Sequence, residues 1–207
     1  MPEQEFTLRS DVTVELVKHT ASDADVLFAA RVSTLGEQSL EELSKDPERS
    51  KGLINYLMRD RHGSPFEHNS MTFLISAPIF VFREFMRHRV GWSYNEESGR
   101  YKELEPVFYM PDESRKLVQQ GKPGKYEFIE GNYEQRLSVE HSFGVICRAA
   151  YSHYQQMMHV GVAREVARSV LPMGTYSSMY ATCNARSLMH FLGLRTTHGQ
   201  AKVPSFA

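Results

Sequence analysis

Cysteine is nearly absent, with Cys147 and Cys183 the only two in 207 residues. Two thiols so far apart support neither a zinc site nor a disulfide framework, and both are expected as buried free thiols in a reducing cytoplasm. Long apolar runs are also missing. The longest, Phe73 to Phe82, covers about ten residues and is broken by Ser76 and Pro78, against about 20 for a membrane-spanning helix. The opening residues, MPEQEFTLRS, lack the basic end and apolar stretch of a secretory signal, so a cytoplasmic location is expected. There is no charge bias, with 24 Lys+Arg against 25 Asp+Glu and a net charge of -1. That balance excludes a broad basic coat for nonspecific nucleic-acid binding but leaves room for a local basic pocket. Repeats and low-complexity tracts are absent as well. The rest is ordinary globular composition, 41% hydrophobic and 24% charged, and the length suits one domain over residues 1–207.

Aliphatic and polar residues alternate over Val12 to Val17, which predicts a strand. Ser22, followed by Asp23 and Asp25, predicts a capped helix reaching Val32. Leu53, Ile54, Leu57 and Met58 recur at helical spacing in Pro47 to Arg61, ahead of a turn at His62-Gly63-Ser64-Pro65. His62 and His68 are too widely spaced for a metal pair on one helix and have no third ligand nearby, so they are expected to make polar ligand contacts and bind no metal. Met71 to Ile75 reads as a strand. Ala77-Pro78 is expected to open a long helix with Ile79, Phe82, Phe85 and Met86 on its core side. Val107 to Met110 reads as a short strand, Gly121 to Lys125 (GKPGK) as a loop, and Glu140 to Val160 as a helix stopped at Gly161. Met157, Met158 and the tyrosines of that helix are expected to fill core. Val162 to Leu171 reads as a short helix ended by Pro172, Thr175 to Thr182 as a strand, and Ala185 to Leu194 as a helix capped by Asn184. The pattern predicts an α+β fold, with helices packed around a mixed or antiparallel central sheet.

The densest chemistry lies in Arg87 to Tyr101, RHRVGWSYNEESGRY. With Arg83 it gathers four arginines, a histidine, two serine hydroxyls, an asparagine and the pair Glu96-Glu97 within a short length of chain. Arg83 and Arg87 fall at i and i+4 on the expected helix, an unfavourable spacing for like charges unless an anion or a buried carboxylate neutralises them. The stretch starts in an apolar helical run and ends in a polar loop at Gly99, a combination that delivers side chains rigidly and then wraps a ligand. Arg164 and Arg168 lie one turn apart, as do Arg186 and His190. Arg195 sits at a helix C-terminus, where the dipole alone would favour a cation.

The RHR run followed by S-x-N-E-x-S-G-R-Y resembles the flavin-dependent thymidylate synthase family. Ala30-Arg31-Val32-Ser33, HGSPFEH over His62 to His68, Ala163 to Pro172 and NARSLM from Asn184 to Met189 match in the family's order. The resemblance implies methylation of dUMP to dTMP without a cysteine nucleophile, using FAD, NADPH as reductant and methylenetetrahydrofolate as carbon donor. It also implies an obligate oligomer, a homotetramer with active sites shared between subunits. Carried over by residue, it assigns Ser33, Ser64, Glu67, Arg87, His88, Arg89, Glu96, Asn184, Ala185, Arg186 and His190 to FAD. Glu84, Phe85, Met86, Arg87, Glu96, Glu97, Ser98, Gly99, Arg100, Arg168 and Arg195 are assigned to dUMP, with Arg195 the catalytic residue that stabilises the ionised uracil.

Between Arg89 and Ser98 the chain carries one residue more than the commoner motif, expected as a bulge before Ser93. The family's usual helix beyond the late arginine is expected to be missing, since the sequence ends at Ser205-Phe206-Ala207. Two other classes compete. A catalytically silent nucleotide- or flavin-binding variant would bind FAD and dUMP without turnover. A nucleic-acid module would set Trp92, Tyr94 and Tyr101 on bases and the arginines on phosphates, and the near-zero net charge disfavours it.

Overall fold

The structure, a computed structural model, describes residues 6–36, 47–123 and 125–196. The terminal residues Ser205 to Ala207 therefore lie outside the described residues, as does Gly124. In chain order the strands and helices are β1 (Thr7–Arg9), β2 (Thr13–His19), α1 (Asp23–Leu35), α2 (Pro47–Arg59), β3 (Met71–Pro78), α3 (Ile79–Phe85) and β4 (Trp92–Glu96). They continue with β5 (Val107–Tyr109), β6 (Val118–Lys122), β7 (Lys125–Ile129), α4 (Tyr133–His159), α5 (Arg164–Ala167), β8 (Tyr176–Cys183) and α6 (Ala185–Arg195). Single 3-10 turns occupy Ser64–Glu67 and Arg168–Val170.

The expected α+β class is observed. Its centre is an antiparallel sheet in the order β2-β3-β8-β4. Side chains alternate across it. Ile75 and Ala77 of β3 and Met179 and Ala181 of β8 turn to one face, where they join Val81, Phe82 and Phe85 of α3 and Phe191 of α6 in the main core. The opposite face carries hydroxyls, with Thr72 Oγ1 2.9 Å from Thr182 Oγ1, and Tyr180 is exposed there. A second cluster sets Cys147, Tyr151 and Tyr154 of α4 against Phe108 and Ala167, and a third joins Val26, Leu57 and Phe66. Tyr151 donates to the Leu104 carbonyl and Tyr154 accepts from the Leu104 amide, both at 3.2 Å, so neither buried phenol lacks a partner. A parallel pair, β1-β5, and the hairpin β6-β7 complete the described strands.

The expected caps are present. Ser22 accepts from the Asp25 amide at the head of α1, and Asn184 accepts from the Ser187 amide at the head of α6. Five expectations need correction. Strand β3 runs on through Ala77-Pro78, and α3 is seven residues long rather than a long helix, so Arg87 lies beyond it. At the helix end the Phe85 carbonyl accepts from the His88 amide at 3.0 Å, and the Tyr94 hydroxyl, six residues beyond His88, donates to the His88 carbonyl at 2.5 Å. GKPGK is a hairpin rather than a loop, with Lys122 paired to Lys125 and Gly121 at φ +97. Helix α4 begins at Tyr133, where Asn132 and Gln135 form a reciprocal capping box. The segment expected as one short helix is the four-residue α5 followed by the 3-10 turn, and Met58 is exposed on α2 rather than in the core.

Phe82 is 1% exposed at the junction of sheet and α3. Phe82→Ala should therefore lower stability by about 3–5 kcal/mol, read from the urea midpoint at unchanged denaturant slope.

Candidate active site

The RHR loop, Arg87 to Gly91, is held from three sides. The Tyr94 hydroxyl of β4 donates to the His88 carbonyl at 2.5 Å. From α6, the Ser187 hydroxyl donates to the Val90 carbonyl at 3.0 Å, and the Phe191 ring meets the His88 imidazole edge-on at 4.8 Å between centroids. Beneath lies an aromatic group in which Phe85 packs edge-on to Trp92 and Tyr94, themselves stacked at 5.9 Å. Gly91 has φ +70, and a Cβ there would run into the Ser187 hydroxyl, so this turn requires glycine for both conformation and space. From Trp92 to Glu96 the pairing with Cys183 to Met179 is unbroken, which keeps Glu96 in register.

Arg195, at the end of α6, reaches this loop. Its Nε donates to His88 Nε2 at 3.2 Å, and its Nη1 lies 3.7 Å from Glu84 Oε2 on α3. Burial pulls the His88 imidazole below its ordinary pKa, and the nearby Arg195 and His190 charges pull it further. Because the Arg195 Nε–H donates to it, His88 Nε2 acts as an acceptor in this contact, which places the ring proton on Nδ1.

The polar loop after β4 forms a second cluster. Gly99 is buried, and a Cβ on it would press on Leu104 and on the Arg168 stem, so the glycine lets the Glu96–Arg100 segment approach Arg168. The Ser98 hydroxyl accepts from the Arg100 amide at 3.3 Å, and Lys102 pairs with Glu97 at 2.5 Å. Glu96 is half-buried, which raises its carboxyl pKa. The Ser177 hydroxyl and the Arg168 charge oppose that rise, and the Glu97 charge adds to it. Ser177 itself is buried beside Glu96 without a well-formed hydrogen bond of its hydroxyl. A cavity of about 340 Å³ opens beside this strand, lined by Leu74, Asn95, Glu96, Glu97, Ser178, Met179 and Tyr180.

The residues expected around a flavin gather at the head of α6. Arg186 pairs with Glu67 at 2.5 Å across the Ser64–Glu67 turn, and Gly63 leaves room for its guanidinium. The Ala185 amide donates to Asn69 Oδ1 at 2.8 Å, while the buried Asn69 Nδ2 has no hydrogen-bond partner among the described residues. His190 projects one turn further along α6, and Arg87 and Arg89 are exposed on the adjoining loop. Ser33 does not join this group through any contact of its side chain. It lies exposed on α1 and donates to its own helix at the Ala30 carbonyl. Phe85 is buried in the main core, and Met86 is half-buried against the same cluster. Asn69, Ser177 and Ser187 were given no individual site role from the sequence, and each meets a partner remote in the chain. Tyr94, weighed only as a ring to stack on bases, instead holds the nearby RHR loop through its hydroxyl.

Both cysteines are buried, as expected. Burial raises the Cys183 thiol to about 11 and raises Cys147 as well, so neither is a thiolate near neutrality. Among the described residues no helix is long and apolar enough to cross a membrane, and no group of three or more His, Cys, Asp or Glu is arranged to hold a metal ion.

The family described as thymidylate synthase complementing protein matches residues 15–203. The flavin-dependent thymidylate synthase of Streptomyces coelicolor A3(2) is 79% identical over 199 residues, covering 96% of this chain and 81% of that relative. This chain belongs to the flavin-dependent thymidylate synthase family. A relative of the same description from Tropheryma whipplei TW08/27 is 59% identical over 199 residues, covering 95% of this chain and 81% of its own length. Among solved structures, the UMP/dUMP methylase PolB from Streptomyces cacaoi bound with 5-Br UMP superposes with a TM-score of 0.83 at 53% identity, covering 97% of this chain and 83% of that one. The same methylase bound with 5-Br dUMP gives 0.84 at 54% identity, covering 96% of this chain and 84% of the other. This family member is therefore an enzyme, a methyltransferase with a flavin cofactor and a nucleotide substrate.

The raised Glu96 pKa fixes the sign of a pH effect. A carboxyl raised on folding favours the fold below its unfolded pKa, and that contribution is lost as pH rises through the folded value. Glu96→Gln should thus raise the melting temperature at pH 7 and change it little at pH 4, measured calorimetrically at both.

Proposed function

We propose that this enzyme converts dUMP to dTMP by reductive methylation, with FAD as the flavin, NADPH as reductant and methylenetetrahydrofolate as carbon donor. The observation that carries the reading is the placement of Arg195, gripped between His88 and Glu84 at the edge of the RHR loop. A uracil ring attacks a one-carbon unit from C5 only when it is electron-rich. A guanidinium at its N3/O4 edge stabilises that charge. Arg195 is the catalytic residue of this reading. Glu96 to Arg100, with Arg168 and Arg87, hold the nucleotide phosphate and sugar by multidentate contacts, and Ser98 and Gly99 let the backbone come close.

The donor set fits a flavin dinucleotide. Arg87, Arg89 and Arg186 supply cations for a pyrophosphate, and the orphaned Asn69 amide and the neutral His88 supply groups for neutral edges. Glu67, Asn184, Ala185 and His190 line the same end of α6, and Ser64 the facing turn. Ser33, on a separate helix, reaches such a ligand from another subunit in the homotetramer that this reading includes. When bound, the flavin supplies the hydride chemistry. The cysteines take no part.

A second reading, acceptance of UMP beside dUMP, is favoured by the similarity to a methylase named for both nucleotides. Product analysis with each nucleotide decides it.

The test is anaerobic. NADPH should bleach the absorbance of the bound flavin, and dUMP should change the rate of bleaching. Arg195→Ala should retain flavin and fold but lose at least about 10²-fold in dTMP formation. Undiminished turnover would remove Arg195 from the mechanism. Flavin that neither binds nor bleaches would favour the silent variant.

A further inference from the structure

Two anchors from different elements grip the Arg195 guanidinium, and neither is explained by binding a ligand alone. Nε is taken by His88 Nε2 at 3.2 Å, from the RHR loop. Nη1 faces Glu84 Oε2 at 3.7 Å, from α3. His88 is itself fixed. Its backbone carbonyl accepts from Tyr94 at 2.5 Å, and its ring rests edge-on against Phe191, one turn before Arg195 on α6. An arginine side chain at a helix end has several free torsions, and leaving it loose would cost entropy each time it closed on a substrate. A guanidinium held at Nε and at one terminal nitrogen keeps its plane.

We infer that His88 is a positioning residue that sets the Arg195 guanidinium for the uracil edge, and that protonation of His88 releases it. This rests on the reading of Arg195 as the group that stabilises ionised uracil. The Arg195 Nε carries a hydrogen, so it can donate only to an unprotonated imidazole nitrogen. A proton on His88 Nε2 removes the acceptor and sets two cations against each other. The charged and titratable groups around His88 are Arg87 and Arg89 on its own loop, Glu84 on α3, Tyr94 on β4, and His190 and Arg195 on α6. Burial, Arg195 and His190 oppose the imidazolium and hold it below the ordinary histidine pKa. Glu84 draws the guanidinium toward α3, and a negatively charged uracil edge competes for the same cation.

The experiment uses the flavin-loaded enzyme and 5-bromo-dUMP, whose ring ionises at N3 with a change in ultraviolet absorbance. Difference spectra at pH 7.5 give the ratio of ionised to neutral bound ring. Wild type should exceed His88→Phe by tenfold or more, because phenylalanine preserves the packing on Phe191 but accepts no hydrogen bond. His88→Gln, whose side-chain oxygen can accept but does not titrate, should restore the ratio to within about threefold of wild type. Turnover of wild type with dUMP should fall as pH drops below the His88 pKa, and His88→Gln should lack that acid limb. Equal ratios in wild type and His88→Phe would overturn the positioning role, and an acid limb unchanged in His88→Gln would overturn the release. If His88→Phe fails to retain flavin, Glu84→Gln and His88→Gln decide the matter, since Glu84→Gln removes the other anchor and should also lower the ratio. Wild type that ionises the bound ring yet forms no dTMP would reject the proposed activity and leave the clamp supported.

Discussion

Strand β8 exchanges backbone hydrogen bonds with β3 on one side and β4 on the other, and it runs directly into α6 through Asn184. Because the register with β4 is continuous from Trp92 to Glu96, a one-residue slip would turn Glu96 away from Arg168 and Ser177 and turn Tyr94 away from the RHR loop. The same strand aims α6, so Arg186 at its head and Arg195 at its foot are placed by sheet pairing rather than by local propensity. The hydrophobic seam of Ile75, Met179, Phe85 and Phe191 holds α3 and α6 on that sheet, and the charged residues ride on its edges.

This arrangement divides the labour between packing and charge. Apolar burial supplies the rigidity, while the cations of the site are left short of acidic partners. Among the described residues Arg186 pairs with Glu67 and Arg195 lies near Glu84, whereas Arg87 and Arg89 are exposed on the loop. A site with an excess of fixed donors is costly to maintain in isolation and becomes favourable when anions arrive. The half-buried Glu96 adds a strain of the opposite sign, a carboxylate kept in a setting that disfavours its charge.

Local signals were legible in the sequence wherever their causes were local. Ser22 and Asn184 were recognisable as caps, the alternating strands were recognisable by period, and the order of motif blocks identified the family. The end of α3 was not legible, because the Tyr94 hydroxyl that holds the chain just beyond it, at the His88 carbonyl, comes from a strand across a turn. The pairing of β6 with β7 was missed because its strands are short and largely polar, with no apolar alternation to mark them. Most expected site residues do cluster, but in two groups linked by β4 and not in one, and Ser33 stands apart on α1.

The two cysteines give the enzyme a chemical character of its own. Cys147 is enclosed with Tyr151 and Phe108, and Cys183 closes β8 opposite Trp92, each with a thiol too weakly acidic to ionise near neutrality. Oxidation to sulfenic acid and attack by soft electrophiles both require an accessible thiolate. Peroxide or an alkylating agent that silences a cysteine-dependent enzyme therefore finds little to attack in this fold. Nucleotide methylation here is sheltered from thiol stress by the same packing that fixes the strand.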